Sequence, residues 1–351
     1  MWRAASLYHM FSTVRLGSVK RFKKFVHVTC YMPRIALYVR IIYISFAKIP
    51  DGFADLIPSV PSVARNLRTL NIEHTGHTPV LTRLLEHAMF STIQSLALTH
   101  VWFGSFAHLQ ELICIFPKVQ DLRIGNVTWD LGPEHPPDSD FATAVAPVHS
   151  LCRLRHLYLR FNGNFLPFIV RWMMHTPMLS QLTSLSLYLD SVAVVLCYNE
   201  LLAAVGSQLL QLNLEMGAIF YNGPHANEVI RDLTLANCTQ LTSIHFIPST
   251  SGRPPSCAWM VSALRTLPST AVRRTLRELR LHFSLWDAAH WALIIELGLL
   301  DNEVAAQRYA ALRTLIFNVR AEPRFRIRDF VLGQMQQLRR RSPDIIVHQV
   351  W

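Results

Sequence analysis

One arrangement of apolar and polar positions recurs along the 351 residues: apolar-x-x-apolar-x-apolar. It is carried by Val39/Ile42/Ile44, Leu67/Leu70/Ile72, Ile93/Leu96/Leu98, Val119/Leu122/Ile124 and Leu154/Leu157/Leu159. It continues with Leu182/Leu185/Leu187, Leu209/Leu212/Leu214, Leu241/Ile244/Phe246, Leu276/Leu279/Leu281 and Leu312/Leu315/Phe317. The last two apolar positions of each unit are two apart, so they share one face of a short strand. So short a strand cannot bury that face alone. Laying it beside the next copy makes a parallel sheet, and the chain between copies must return over the back.

The return segments show helical spacing. Residues 79–90 place Val80, Leu81, Leu84, Leu85 and Ala88 on one face, and 106–116 do the same before Pro117 ends them. Further helices are predicted over 165–174, 199–205, 228–236, 259–267, 288–300 and 327–340, and Ile345-Ile346-Val347 reads as a closing strand. Successive central apolar positions are 28, 26, 26, 35, 28, 27, 32, 35 and 36 residues apart. The shorter steps match the roughly 20–29-residue period of leucine-rich repeats, and the longer ones carry insertions. The expected fold is therefore α/β: a leucine-rich-repeat solenoid (horseshoe), with the parallel sheet on the concave face and helices on the convex face. About ten irregular units fill 36–351, and 1–35 form a basic N-terminal cap or a linking segment.

The repeats depart from regularity. Asn or Cys three residues after the last apolar position is found once, as Asn162, so asparagine ladders are not expected. Two insertions, 125–150 and 248–256, are rich in Gly, Pro and Ser and read as surface loops. The first is acidic, with Asp130, Glu134, Asp138 and Asp140.

Composition narrows the class. Apolar residues make up 51% and charged residues 16%, which excludes a disordered chain and a Glu/Lys-rich coiled coil. The densest apolar run, 35–49, contains Arg40 and Lys48 and is too short to span a bilayer, so no membrane partner is expected. The net charge of +11 is concentrated: nine of the 34 Lys and Arg lie in residues 1–50, which hold no Asp or Glu. The other 25 face 23 acidic residues, so the body is near neutral and no nucleic-acid partner is expected. The basic start reads as part of the folded body of a cytoplasmic or nuclear protein, with a mitochondrial presequence as the alternative. Cys30, Cys114, Cys152, Cys197, Cys238 and Cys257 form no C-x-x-C pair and read as thiols of a reducing compartment.

Candidate chemistry is sparse. His74 and His77 have i, i+3 spacing, but Gly76 and Pro79 put them in a turn without a third ligand, so no metal is expected. Asp130 and Glu134 cannot share a helix across Gly132 and Pro133. No zincin, nucleophile-elbow or phosphate-loop motif occurs, so neither an enzyme nor a cofactor is expected. The residues alternating with the buried strand positions are more informative. Arg123, His156, Tyr158, Arg160, Tyr188, Asn213, Glu215, His245, Arg280 and His282 fall on the concave face. Tyr and Arg are enriched at binding hot spots, and strands about 5 Å apart would merge them into one patch. The other reading is a solvated sheet face in which Arg123 and its neighbours pair with Asp121.

The arrangement resembles the irregular leucine-rich-repeat region of fungal F-box proteins. The most telling stretches are His9-Met10-Phe11-Ser12-Thr13-Val14-Arg15-Leu16, Lys20-Arg21-Phe22-Lys23-Lys24-Phe25 and Pro33-Arg34-Ile35-Ala36-Leu37-Tyr38-Val39-Arg40. In that family such a stretch links the F-box to the first repeats. The resemblance implies the target-binding part of a cullin–RING ubiquitin-ligase substrate receptor, with an unknown protein as target. No Leu-Pro-initiated helical segment precedes the linking stretch, so no residue is assigned to adaptor binding. An adaptor is an expected partner only if an F-box lies upstream. The alternative is a free-standing scaffold with no ubiquitin link.

Overall fold

A computed structural model describes residues 2–45, 66–74, 92–130, 153–161, 164–217, 232–247, 257–269, 274–285, 297–306, 309–321, 327–340 and 344–350. The predicted helix at 79–90, His77, Asn162, the insertion at 248–256 and most of that at 125–150 lie outside these residues. The chain is mixed α/β and divides into two compact units, Met1–Phe161 with His175–Gln181, and Asn162–Met174 with Leu182–Trp351.

In the first unit, strands β1 (Thr13–Leu16), β2 (Ile41–Ser45), β3 (Thr69–Glu73) and β4 (Ser95–Thr99) pair in parallel in chain order. After β5 (Trp102–Phe103), β6 (Asp121–Gly125) extends this sheet from β4. After β7 (Thr128–Trp129), β8 (His156–Arg160) continues it from β6. Helix α1 (Trp2–Phe11) precedes β1, and α2 (Val19–Tyr31), α3 (Pro33–Ala36) and α4 (Phe106–Cys114) lie in segments between strands. Ser18 and Ser105 cap α2 and α4, each hydroxyl accepting a backbone N–H three residues on at 3.3 Å.

The second unit repeats the scheme. Strands β9 (Ser184–Leu189), β10 (Gln211–Met216), β11 (Ser243–Ile247), β12 (Glu278–Leu285), β13 (Thr314–Ala321) and β14 (Asp344–Val350) pair in parallel in chain order. Its helices are α5 (Leu166–Met174), α6 (Val192–Val205), α7 (Ala258–Arg265), α8 (Leu297–Val304), α9 (Ile327–Gln334) and α10 (Gln336–Arg339). Helix and sheet meet directly where Trp259 of α7 stands edge-on to Phe246 of β11, ring centroids 5.0 Å apart.

The predicted registers hold in both units. The second and third apolar positions of all ten triplets are buried, none more than 3% exposed. In eight of the ten triplets the residue after the leading apolar position has a second, backbone role. In the first unit the carbonyls of Arg40, Arg68, Gln94 and Gln120 each accept two consecutive N–H groups from the next strand's entry. In the second unit Thr183, Leu210, Thr242 and Arg277 do the same, at 2.8–3.1 Å. The two lone pairs of one carbonyl thus hold both polar positions of the following triplet.

Several expectations need correction. Residues 1–35 already contribute β1, which pairs with β2, so the cap begins the sheet. The 125–150 insertion is strand at its start, where β7 pairs with β5. Helix α6 begins at Val192, not 199, because Ser191 caps the apolar run Val192–Cys197. The predicted 327–340 helix is two, parted at Met335. The described end of the predicted 228–236 helix is turn and coil. There, Asn199 of α6 accepts from Thr234 N–H (2.9 Å) and donates to the Asp232 carbonyl (2.6 Å). Thr266 at the end of α7 accepts from Leu235 N–H at 2.9 Å. Side chains from two helices supply the bonds that a helical turn would have made.

Two close fits complete the second unit. A Cβ at Gly217 would meet the Leu189 carbonyl oxygen at 2.9 Å, so only glycine fits there. Asp301, buried on α8, accepts from Gln337 N–H (2.8 Å) and Leu338 N–H (2.9 Å) and so caps α10 from a neighbouring helix.

The register has a measurable consequence. Leu185→Ala removes a fully buried side chain from β9 and should lower unfolding free energy by about 2–5 kcal/mol. Ser186→Ala, one residue along and on the opposite face, loses one hydrogen bond from Asn213 and should cost about 1 kcal/mol. Denaturant unfolding of both variants tests this, and equal losses would mean the strand faces are assigned the wrong way round.

Candidate functional site

All ten predicted site residues lie on strands, on the face opposite the buried apolar positions, and none is in the core. They fall into two groups, one in each unit. In the first unit β6 and β8 set Asp121 opposite His156, Arg123 opposite Tyr158 and Gly125 opposite Arg160. Arg123 and His156 are exposed, while Tyr158 and Arg160 are half-buried. Arg123 reaches both carboxylate oxygens of Asp121, at 3.4 and 3.5 Å. So long and exposed a pair adds little to stability and leaves Arg123 available to a ligand. The pairing read as the alternative in the sequence is therefore present, but weak.

The same row extends back to β1. Arg15 lies opposite Tyr43, with its guanidinium 5.1 Å from the Tyr43 ring centroid. This pair escaped sequence reasoning because β1 carries only Val14 and Leu16 of the apolar pattern. The cue was the alternation itself, Val14-Arg15-Leu16.

In the second unit the central row of the face is Ser186, Asn213, His245, Arg280 and Ile316, in register from β9 to β13. Tyr188 lies opposite Glu215 in the row beyond, and His282 lies opposite Asn318. These side chains are largely fixed by one another. Asn213 donates to the Ser186 hydroxyl at 2.7 Å. One oxygen of Glu278 accepts from Ser243 Oγ (3.0 Å) and from Arg280 Nε (2.6 Å). Those bonds, the Arg280 contact foremost, hold the Glu278 carboxyl below its usual range despite partial burial. Arg280 is tethered by Nε, and its side chain is half-exposed.

The two histidines beside Arg280 are kept neutral. Burial, then repulsion from His282 and Arg280, pushes His245 down to about 4 against the attraction of Glu278. Its Nε2 is buried without a hydrogen-bond partner among the described residues. Burial, then Arg320, lowers His282 in the same direction. The group thus sets the Arg280–Glu278 pair and Glu215 among neutral donors and acceptors, suited to hydrogen-bonded and ionic recognition.

A further polar line closes three strands of the first unit. His74, His100 and Asn126 directly follow β3, β4 and β6, and each has a left-handed backbone with φ of 51–53°. His and Asn are among the side chains that tolerate this region best. Each N–H donates to the last carbonyl of the next strand, extending the ladder by one bond before the chain turns. The His74 and His100 rings stack at 4.7 Å, and Asn126 Nδ2 is 3.4 Å from His100 Nε2. Burial, then His74 and Arg160, lowers the pKa of His100.

Among the described residues no three His, Cys, Asp or Glu side chains converge on a cation site. Their five cysteines are free thiols, and burial pushes Cys238 up to about 12. No helix among them is long and apolar enough to cross a membrane. No protein-family model matches the chain, and no curated protein matches it significantly.

The depressed His245 sets a pH dependence. Its folded pKa lies below the unfolded value near 6.5, so between about pH 6.5 and pH 4 the unfolded chain binds a proton that the folded one refuses. The contribution is fully present above pH 6.5 and is lost as pH falls through that window. Allowing for partial solvent access, it should amount to about 1–2 kcal/mol. Denaturant unfolding from pH 7 to pH 4 measures the slope, and His245→Gln should flatten it. An unchanged slope in that variant would show that His245 is not its source.

Proposed function

We propose that this chain is a non-enzymatic protein-recognition module, a leucine-rich-repeat array that holds a target protein on its polar strand face. The observation that carries this reading is the contrast between the two faces of the same strands. The buried positions are uniformly aliphatic or aromatic, whereas the exposed positions carry Tyr, Arg, His, Asn and Glu. A merely solvated face has no need of Arg280 tethered to Glu278 or Asn213 tethered to Ser186, and such fixed side chains lose little entropy on binding. On the resemblance to fungal F-box proteins, the module serves as the target-binding part of a ubiquitin-ligase substrate receptor in the cytoplasm or nucleus.

Tyr158 and Arg160 make the sharpest test, combining a large rigid ring with a planar fork for carboxylates. Affinity capture from a native lysate with the wild-type chain should identify a partner. Titration of that partner against the Tyr158→Ala/Arg160→Ala double variant should show binding weakened by about 2 kcal/mol or more. Circular dichroism should show the fold unchanged. Undiminished binding by the double variant would place recognition elsewhere. Co-capture of a cullin–RING adaptor with the natural full-length protein would separate a receptor from a free-standing scaffold.

A further inference from the structure

The surface least explained by target recognition on the strands is α2. It packs inward through Phe22, Phe25 and Val26, and Thr29 turns its hydroxyl back onto the Phe25 and Val26 carbonyls at 2.9 Å. Its outward side is a single stripe. Lys20, Lys23, Lys24, His27 and Tyr31 recur at three- and four-residue spacing and are all exposed. Among the described residues none of these lysines is held in an ion pair. The stripe ends in an apolar tip: Tyr31 is 74% and Met32 59% exposed, and the Tyr31 ring rests on His27 with centroids 4.3 Å apart. Residues 1–50 contain no acidic side chain to balance it.

We infer that the outward side of α2 is a second docking surface, which takes an acidic helical or extended segment of a partner protein ending in an apolar side chain. Charge complementarity sets the acidic part. From Lys20 to Tyr31 the helix rises roughly 16 Å, the length over which a partner could set three or four carboxylates. The tip sets the apolar part, since Tyr and Met are enriched at the centres of protein interfaces. A nucleic-acid backbone would match the lysines but offers Met32 no apolar surface. An anionic bilayer matches less well, because the apolar side of α2 is already used within its own unit. This surface is separate from the strand face, and the inference does not depend on the function proposed for that face.

The test uses the full chain and a fluorescein-labelled peptide of roughly 14 residues with Glu at helical spacing and a Leu-Trp end. Control peptides carry Gln for Glu, or Ser for Leu-Trp. The Glu peptide should bind with an affinity that falls steeply with salt. Lys20→Glu/Lys23→Glu/Lys24→Glu should weaken it at least about tenfold and flatten the salt dependence. Tyr31→Ser/Met32→Ser should weaken it several-fold and leave the salt dependence in place. All five positions are exposed, and circular dichroism of each variant checks the fold. Absence of binding, equal binding of the Gln peptide, or variants indistinguishable from wild type would overturn the inference. So would tighter, α2-dependent binding to phosphatidylserine vesicles or duplex DNA than to the peptide.

Discussion

Within each unit, successive triplets are held together by one carbonyl that accepts two consecutive N–H groups. This contact sits just before the strand and recurs from Ser12 to Gln120 in one unit and from Thr183 to Arg277 in the other. It fixes register before the strand begins. A shift by one residue would turn every buried leucine of that strand toward water, so the contact decides which side chains become core and which become surface. It also restricts the sequence. Both polar positions must donate an N–H, and proline is absent from them in all ten triplets. At the entry to β14, Asp344 N–H donates to the Arg313 carbonyl, and the residue before it in sequence is proline, which has no N–H to give.

Once register is set, the two faces diverge. The inner face is confined to side chains that fill the space between sheet and helices, and a lost methylene there is felt as a cavity. The outer face carries no such constraint, so chemical variety collects on it. That variety is still ordered by strand spacing. Ser243, Glu278 and Arg280 interlock because parallel register sets Ser243 opposite Glu278 and His245 opposite Arg280. The depressed His245 is a by-product of the same crowding, for a second cation beside Arg280 would be repelled and poorly solvated.

The sequence was most legible where periodicity and burial coincide. The apolar triplets marked ten strands because a two-residue alternation preceded by a leucine three positions earlier has few other uses. The ten site residues fell on the exposed face for the same reason. What escaped was set by contacts distant in sequence. No local signal in 232–236 announces that Asn199 and Thr266 will supply its backbone partners, so its apolar spacing read as helix. The lengths of α6 and α9 were misjudged where a serine cap or a break at Met335 outweighs periodicity. The left-handed residues after β3, β4 and β6 were readable in principle. His74, His100 and Asn126 stand in equivalent places, and all three are residue types that accept that conformation.

The distribution of charge follows from the same division of labour. On the strand face two cations sit beside anions, Arg123 loosely with Asp121 and Arg280 closely with Glu278. Such a face has little long-range field and discriminates by contact geometry. Residues 1–50 have no acid to pair with, and Lys20, Lys23 and Lys24 sit on α2, outside the ladder. Flexible, strongly hydrated lysines make poor geometric readers but give a field that reaches about 8–10 Å at moderate salt. Placing these three lysines there spares the ladder their mutual repulsion across strands only ~5 Å apart. A strand face built by stacking cannot carry a large net charge without weakening its own register, whereas α2, where no stacking is required, can present Lys20, Lys23 and Lys24 side by side.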